Sequence, residues 1–187
     1  MAGTATRRRK PRLFSFSREV EIGNFDEVVS DPEERHALEA VIDAFIEICR
    51  HQAVTPDTLL PVARGSRHAS AYVRGVAITR LTVLTHYFDE AREVLNQVAR
   101  DGDEEVRLYA CAALPNTPDD VGVPLIGRAL EDPSWRVRKA AAQAAGALAT
   151  PALLPILDAR LHTEPDARVK VQLQLAADFQ RAASASP

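Results

Sequence analysis

The chain has 187 residues, a formal net charge of −3, and is 46% hydrophobic, 26% charged and 5% aromatic, which suits one domain or one short array of repeats. No apolar run approaches 18 residues and the two cysteines stand 62 positions apart, so a helical membrane span, a disulfide framework and a Cys-rich zinc module are excluded. The acidic balance argues against a wholly basic nucleic-acid binder, and 31 alanines against 8 glycines favour helix, because alanine loses no side-chain entropy there.

Residues 1–12 carry +5 with no acid, residues 13–50 carry −7, and the rest carries −1. Residues 1–30 lack helical periodicity and read as a basic, extended or disordered tail, with a weak strand signal where Val20 and Ile22 alternate with Glu19 and Glu21. Thr6-Arg7-Arg8 resembles the start of a twin-arginine signal, but Pro11, Arg12, Arg18, Glu19 and Glu21 follow instead of an apolar stretch, so no export is expected. Unpaired Cys49 and Cys111 fit a reducing, cytoplasmic setting and the burial usual for cysteine. Arg7, Arg8, Arg9, Lys10 and Arg12 run into Leu13, Phe14 and Phe16. That order reads as a docking segment for a partner or for the acidic first helix, as a sequence-blind contact to nucleic acid or anionic lipid, or as a solvated end.

Asp31-Pro32-Glu33-Glu34 opens a helix over 31–51: a capping carboxylate, a proline at the first position and two acids at the positive helix end. Leu38, Val41, Ile42, Phe45, Ile46 and Cys49 form one apolar stripe, with Glu39, Asp43, Glu47 and Arg50 off it. One greasy and one polar face suit the end of a stack. Beyond residue 52 a pattern recurs. Val73-Arg74, Val106-Arg107, Val137-Arg138 and Val169-Lys170 lie 33, 31 and 32 residues apart, each opening an Ala- or Leu-rich helix and most preceded by a short polar turn. Thr55-Pro56, Thr117-Pro118 and Thr150-Pro151 mark the preceding helices, each reading as a capping Thr before a proline. The unit is helix A, turn, helix B over about 32 residues. The pairs are expected at 56–65 with 69–86, 89–100 with 104–114, 118–131 with 134–148, and 151–162 with 166–182. The domain boundaries follow: tail 1–30, one helical domain 31–183, disordered end 184–187. Leu59, Leu60, Leu81, Leu84, Val94, Leu95, Leu114, Leu125, Ile126, Leu130, Leu148, Leu153, Leu154, Ile156 and Leu157 are expected in the core. The alanines at 140, 141, 144, 145, 147 and 149 make the third helix B thin.

The Trp, Leu-Gly and Tyr pattern of tetratricopeptide units and the Leu-His of ankyrin units are missing. The acidic turn, the Val-Arg pair and the alanine-rich helix resemble HEAT repeats over roughly residues 53–183, in particular the short repeats of bacterial proteins and phycobilin lyase subunits. The resemblance implies an all-α fold: a right-handed α-solenoid of about four helix pairs plus an N-terminal capping helix, its B helices lining the concave face. It also implies an arginine–aspartate ladder, which Arg107 with Asp101 or Asp103, and Arg138 with Asp132, would supply. Arg74 has no acid in its own turn, so the ladder is expected to break there, and Lys170 replaces arginine in the last unit. The family spans scaffolds, lyases, hydroxylases and DNA-repair proteins.

The residues themselves offer little chemistry. His36, His51, His68, His86 and His162 include no His-Glu dipeptide and no HExxH, which disfavours the di-iron branch of that family. No phosphate-binding glycine motif or nucleophile elbow occurs. Glu104-Glu105 and Asp119-Asp120 fall at helix starts, where the dipole accounts for them. No catalytic residue, metal ligand or cofactor is therefore expected. Trp135 and Arg136 are residue types enriched in binding hot spots. With Tyr72, Tyr109, Lys139, Gln143 and Arg168 they form the expected partner-binding set on the B helices, although Trp135 and the two tyrosines also suit the joints between units. The expected function is a non-catalytic scaffold or adaptor that binds a protein through this face. The alternatives are a nucleic-acid binder using the tail and groove, and a lyase- or chaperone-like subunit acting on a cofactor-bearing protein.

Overall fold

A computed structural model of the chain describes residues 29–185. Among them are nine α-helices and no strand: α1 (Pro32–His51), α2 (Pro56–Gly65), α3 (Ala71–Leu84), α4 (Asp89–Val98), α5 (Glu104–Ala113), α6 (Asp119–Ala129), α7 (Trp135–Leu148), α8 (Leu154–Thr163) and α9 (Ala167–Ala185). Short 3-10 turns at Leu114–Asn116 and Pro151–Leu153 lead into α6 and α8. The capping helix and the four pairs stand where the repeat places them, and α9 runs on past 183. The basic run, Phe14, Phe16 and the weak strand around Val20 lie outside the described residues.

Local chemistry sets the helix starts. Asp31 Oδ1 accepts from the backbone N–H groups of Glu33 (2.8 Å) and Glu34 (3.4 Å), and Pro32 takes the first helical position, where no N–H is needed. Thr55 and Thr58 satisfy each other's backbone N–H groups in a capping box at α2. The other two Thr-Pro pairs differ from expectation. The buried Thr117 hydroxyl donates to the Leu114 carbonyl at 2.7 Å, closing the 3-10 turn behind it, and Thr150 engages Leu153 through its carbonyl. In both places the 3-10 turn uses the threonine, so its side chain caps no α-helix. The B helices are capped in register instead, by Ser70, Asp103 and Ser134.

The α1 stripe is buried as expected, together with Ala44 and Ile48. Val29, placed in the tail by the sequence, is also buried, against Leu38, Ile42, Ile46 and Val73, and its carbonyl accepts from Arg35. Each A helix packs on its own B helix, and the B helices pack in a row, α3 on α5, α5 on α7 and α7 on α9. One continuous apolar core runs from Ala44 in α1 to Ala177 in α9, as expected when no single pair can bury its own face. Alanine sets the spacing. Ala140, Ala141, Ala142, Ala144 and Ala145 are buried in α7, and a Cβ added at Gly146 would lie 3.6 Å from Ala176 of α9. Most expected core residues are buried or, like Val94, Leu148, Leu154 and Ile156, half-buried. Leu60 is not: it is 44% exposed, because the short α2 buries only the Leu59, Val62 and Gly65 face.

Candidate functional site

The expected partner-binding residues fall on the B-helix row. Tyr72 on α3 is exposed and lines an open groove of about 510 Å³ with Gly75, Thr79, Arg80 and Tyr109 of α5. Tyr109 lies beside Gly75, where an added Cβ would make ordinary contact with the ring at 3.7 Å, and the Arg74 guanidinium sits 5.0 Å from the ring centroid. Trp135 is half-buried at the α7–α9 joint, where the Arg168 guanidinium lies 3.4 Å from its ring centroid. Arg168 also pairs with Asp166 at 2.7 Å, and this hydrogen bond holds the Asp166 carboxyl down to about 2. Arg136 reaches back one unit to Glu105 (2.6 Å) and Glu104 (3.0 Å), so these acids hold the stack together as well as facing a helix start. Lys139 and Gln143 follow on α7, the first half-buried and the second exposed. The structure thus brings the set together as two neighbouring pairs, Tyr72 with Tyr109 and Trp135 with Arg168, rather than as one pocket.

The ladder behind this face has a different register from the one expected. Arg107 donates through Nη1 to the Asp101 and Gly102 carbonyls of its own turn, and through Nε and Nη2 to both oxygens of Asp132 in the next turn, at 2.7 and 3.1 Å. Arg138 repeats this with the Asp132 and Pro133 carbonyls and, one turn on, both oxygens of Glu164 at 2.9 Å. Each arginine therefore clamps its own turn by backbone and pairs with the acid of the following one. The acid completes the link: Asp101, Asp132 and Glu164 each accept the backbone N–H two residues ahead. The ends now make sense. His68 holds the acid's place in the first turn and accepts from Ser70 N–H through Nδ1, with no earlier ladder arginine to pair with among the described residues. Arg74 clamps the His68 and Ala69 carbonyls, but its following acid, Asp101, is taken by Arg67 at 2.6 Å, which leaves Arg74 Nε buried and unbonded. Burial alone would raise the Glu164 carboxyl, yet the Arg138 fork, the Asp166 N–H and Arg160 outweigh it and hold the group at about 2.

Residues 91–177, from α4 through most of α9, match the family model of HEAT repeats. This span consists of HEAT repeats. The α2–α3 pair before it has a side-chain cap at the same register and the same arginine clamp, and the whole is an all-α solenoid of HEAT-like helix pairs. No curated protein matches the chain.

HEAT repeats point in general to a protein-interaction scaffold. Among the described residues no group of three or more His, Cys, Asp or Glu side chains is placed to hold a metal ion, and no helix is long and apolar enough to cross a membrane. Both cysteines are buried, and burial pushes the Cys111 thiol up to about 12, which keeps it protonated and unreactive. Sequence reasoning missed Val171, Leu175 and Phe179, large apolar side chains exposed on the α9 HEAT helix. Their signal was present as a second apolar stripe at spacing four, beside the core stripe of Val169, Leu173 and Ala177.

Proposed function

We propose that the chain is a non-catalytic scaffold or adaptor that holds a protein partner against its B-helix face, in a cytoplasmic setting consistent with two free, buried thiols. One observation carries the reading: along that face the side chains are already positioned by the stack, as with Arg168 over Trp135 and Arg136 across Glu104 and Glu105. A partner then meets a surface whose ordering cost has been met in folding. Nucleic acid is the weaker alternative, because on the same face Glu104 and Glu105 engage Arg136 and Asp166 engages Arg168. A photo-crosslinking amino acid at Gln143 tests the reading against the same group at Pro124 on the exposed side of α6. In native extract the Gln143 variant is expected to form a discrete protein adduct and the Pro124 variant none. Adducts from Pro124 alone, or nucleic acid as the recovered species at Gln143, would overturn it.

A further inference from the structure

Val171, Leu175 and Phe179 are 62%, 57% and 56% exposed and follow one another at spacing four on α9. They make a single apolar stripe about 12 Å long. Counted from Val169 they stand at the places that Lys139, Gln143 and Ala147 hold from Val137 in α7, and Arg168 just before them covers Trp135. The stripe therefore belongs to the B-helix face. It is not the side that a further repeat would cover: that side of α7 carries Gly146, close against Ala176, and the matching place in α9 is Asp178, bonded to Gln174 and Arg181. Polar groups occupy the stacking side, and apolar groups face the solvent of the binding side, the reverse of what simple stacking requires. A patch of this kind marks an interaction site.

Charge selects the occupant. On the neighbouring helix, at the register of Val171, Lys139 has no ion pair among the described residues. Arg136 and Arg168 flank it, but the first is engaged by Glu104 and Glu105 and the second by Asp166, and Asp178 is engaged by Arg181, so the unpaired charge beside the stripe is that of Lys139. We propose that this end of the B-helix face binds an acidic amphipathic peptide segment of the protein partner, its apolar side chains on Val171, Leu175 and Phe179 and its carboxylates toward Lys139. The inference rests on the scaffold reading and names the chemistry of its partner. The chain's own Leu13–Phe16 segment fits less well, because its adjoining arginines meet like charge. A second copy also fits less well, because three side chains fall well short of the roughly 800 Å² per partner of a stable interface.

The test uses a displayed library of random 16-residue peptides selected on the full chain. Acidic peptides with leucine, isoleucine or phenylalanine at helical spacing are expected. Their affinity should fall about tenfold in Phe179→Ser and in Lys139→Glu, with Leu60→Ser without effect. Lys139→Glu should also reverse the preference, so that peptides carrying lysine for glutamate bind it better than they bind the wild type. Basic selected peptides, no selected peptides, or indifference to both substitutions would overturn the proposal. So would a dimer that Phe179→Ser converts to monomer, or peptide binding that rises about tenfold in Phe14→Ser/Phe16→Ser. If Gln143 still crosslinks a protein whose capture ignores Phe179→Ser, this inference fails and the scaffold reading stands; if Gln143 captures none, the scaffold reading fails.

Discussion

Glu164 shows how a single side chain joins two repeats. It is 1% exposed, lies under the Arg138 fork and Arg160, and caps the turn before α9. Removing one partner of a buried pair leaves the other charge in a poor medium, so Arg138→Ala is expected to cost about 3 kcal/mol or more in denaturant unfolding. A loss near the value of an exposed pair would show that Arg160 alone suffices. The same carboxyl makes acid stability predictable. Its pKa in the folded chain is about 2 against an ordinary 4.5. Its stabilising contribution is therefore complete above the unfolded value and is lost as pH falls from about 5 toward 2, by about 3 kcal/mol in all. Glu164→Gln should flatten that part of the stability–pH curve; an unchanged slope would assign acid unfolding elsewhere. Ala149 ends α7 with φ 51°, a left-handed conformation costly for a residue with a Cβ. Ala149→Gly is expected to raise the melting temperature, gaining up to about 1 kcal/mol, and a fall would mean that the Ala149 methyl group has a packing role. At this scale the sequence was only partly legible. The arginines and acids were visible, but a periodic pattern does not say whether an arginine pairs with the acid before it or the one after it. That depends on which turn lies within reach of a long side chain once the units are stacked.

At the scale of the helix the sequence was a good guide, because helix starts, apolar stripes and turns are local. The exceptions also have local causes. Thr117 and Thr150 looked like caps until 3-10 turns used their hydroxyl or carbonyl groups, and Leu60 looked like core until the short α2 settled on a neighbouring face. Packing between helices is less legible, and Gly65 shows why. A Cβ there would come within 2.5 Å of Val41 Cγ2 and 3.0 Å of Ala77, so α1, α2 and α3 meet only because that position is bare. Gly65→Ala is expected to destabilise by about 1–3 kcal/mol despite its better helix propensity. Val41→Ala should recover part of the loss in a double-mutant cycle. Additive effects would place the damage somewhere other than this contact.

For the molecule as a whole, stability in a linear stack is a sum over neighbours. Leu173, fully buried in α9 beneath the last joint, bears on that directly. Leu173→Ala should lower hydrogen-exchange protection in α8 and α9 by about 2–5 kcal/mol while leaving α3 to α5 nearly unchanged. A uniform drop along the chain would reveal one cooperative unit instead. The recurrence of Val-Arg every 31 to 33 residues sufficed to establish the helix pairs, their order and their kinship with HEAT repeats, since a repeat that cannot bury its own face must stack on the next. Which faces stay open was settled by assembly. Val171, Leu175 and Phe179 have the composition of a core stripe, and Asp178 and Gln174 that of a solvent face; only the position of α7 beside α9 decides which side of α9 each of them occupies. Solvent exposure depends on neighbours distant in the chain, and local periodicity carries no record of them.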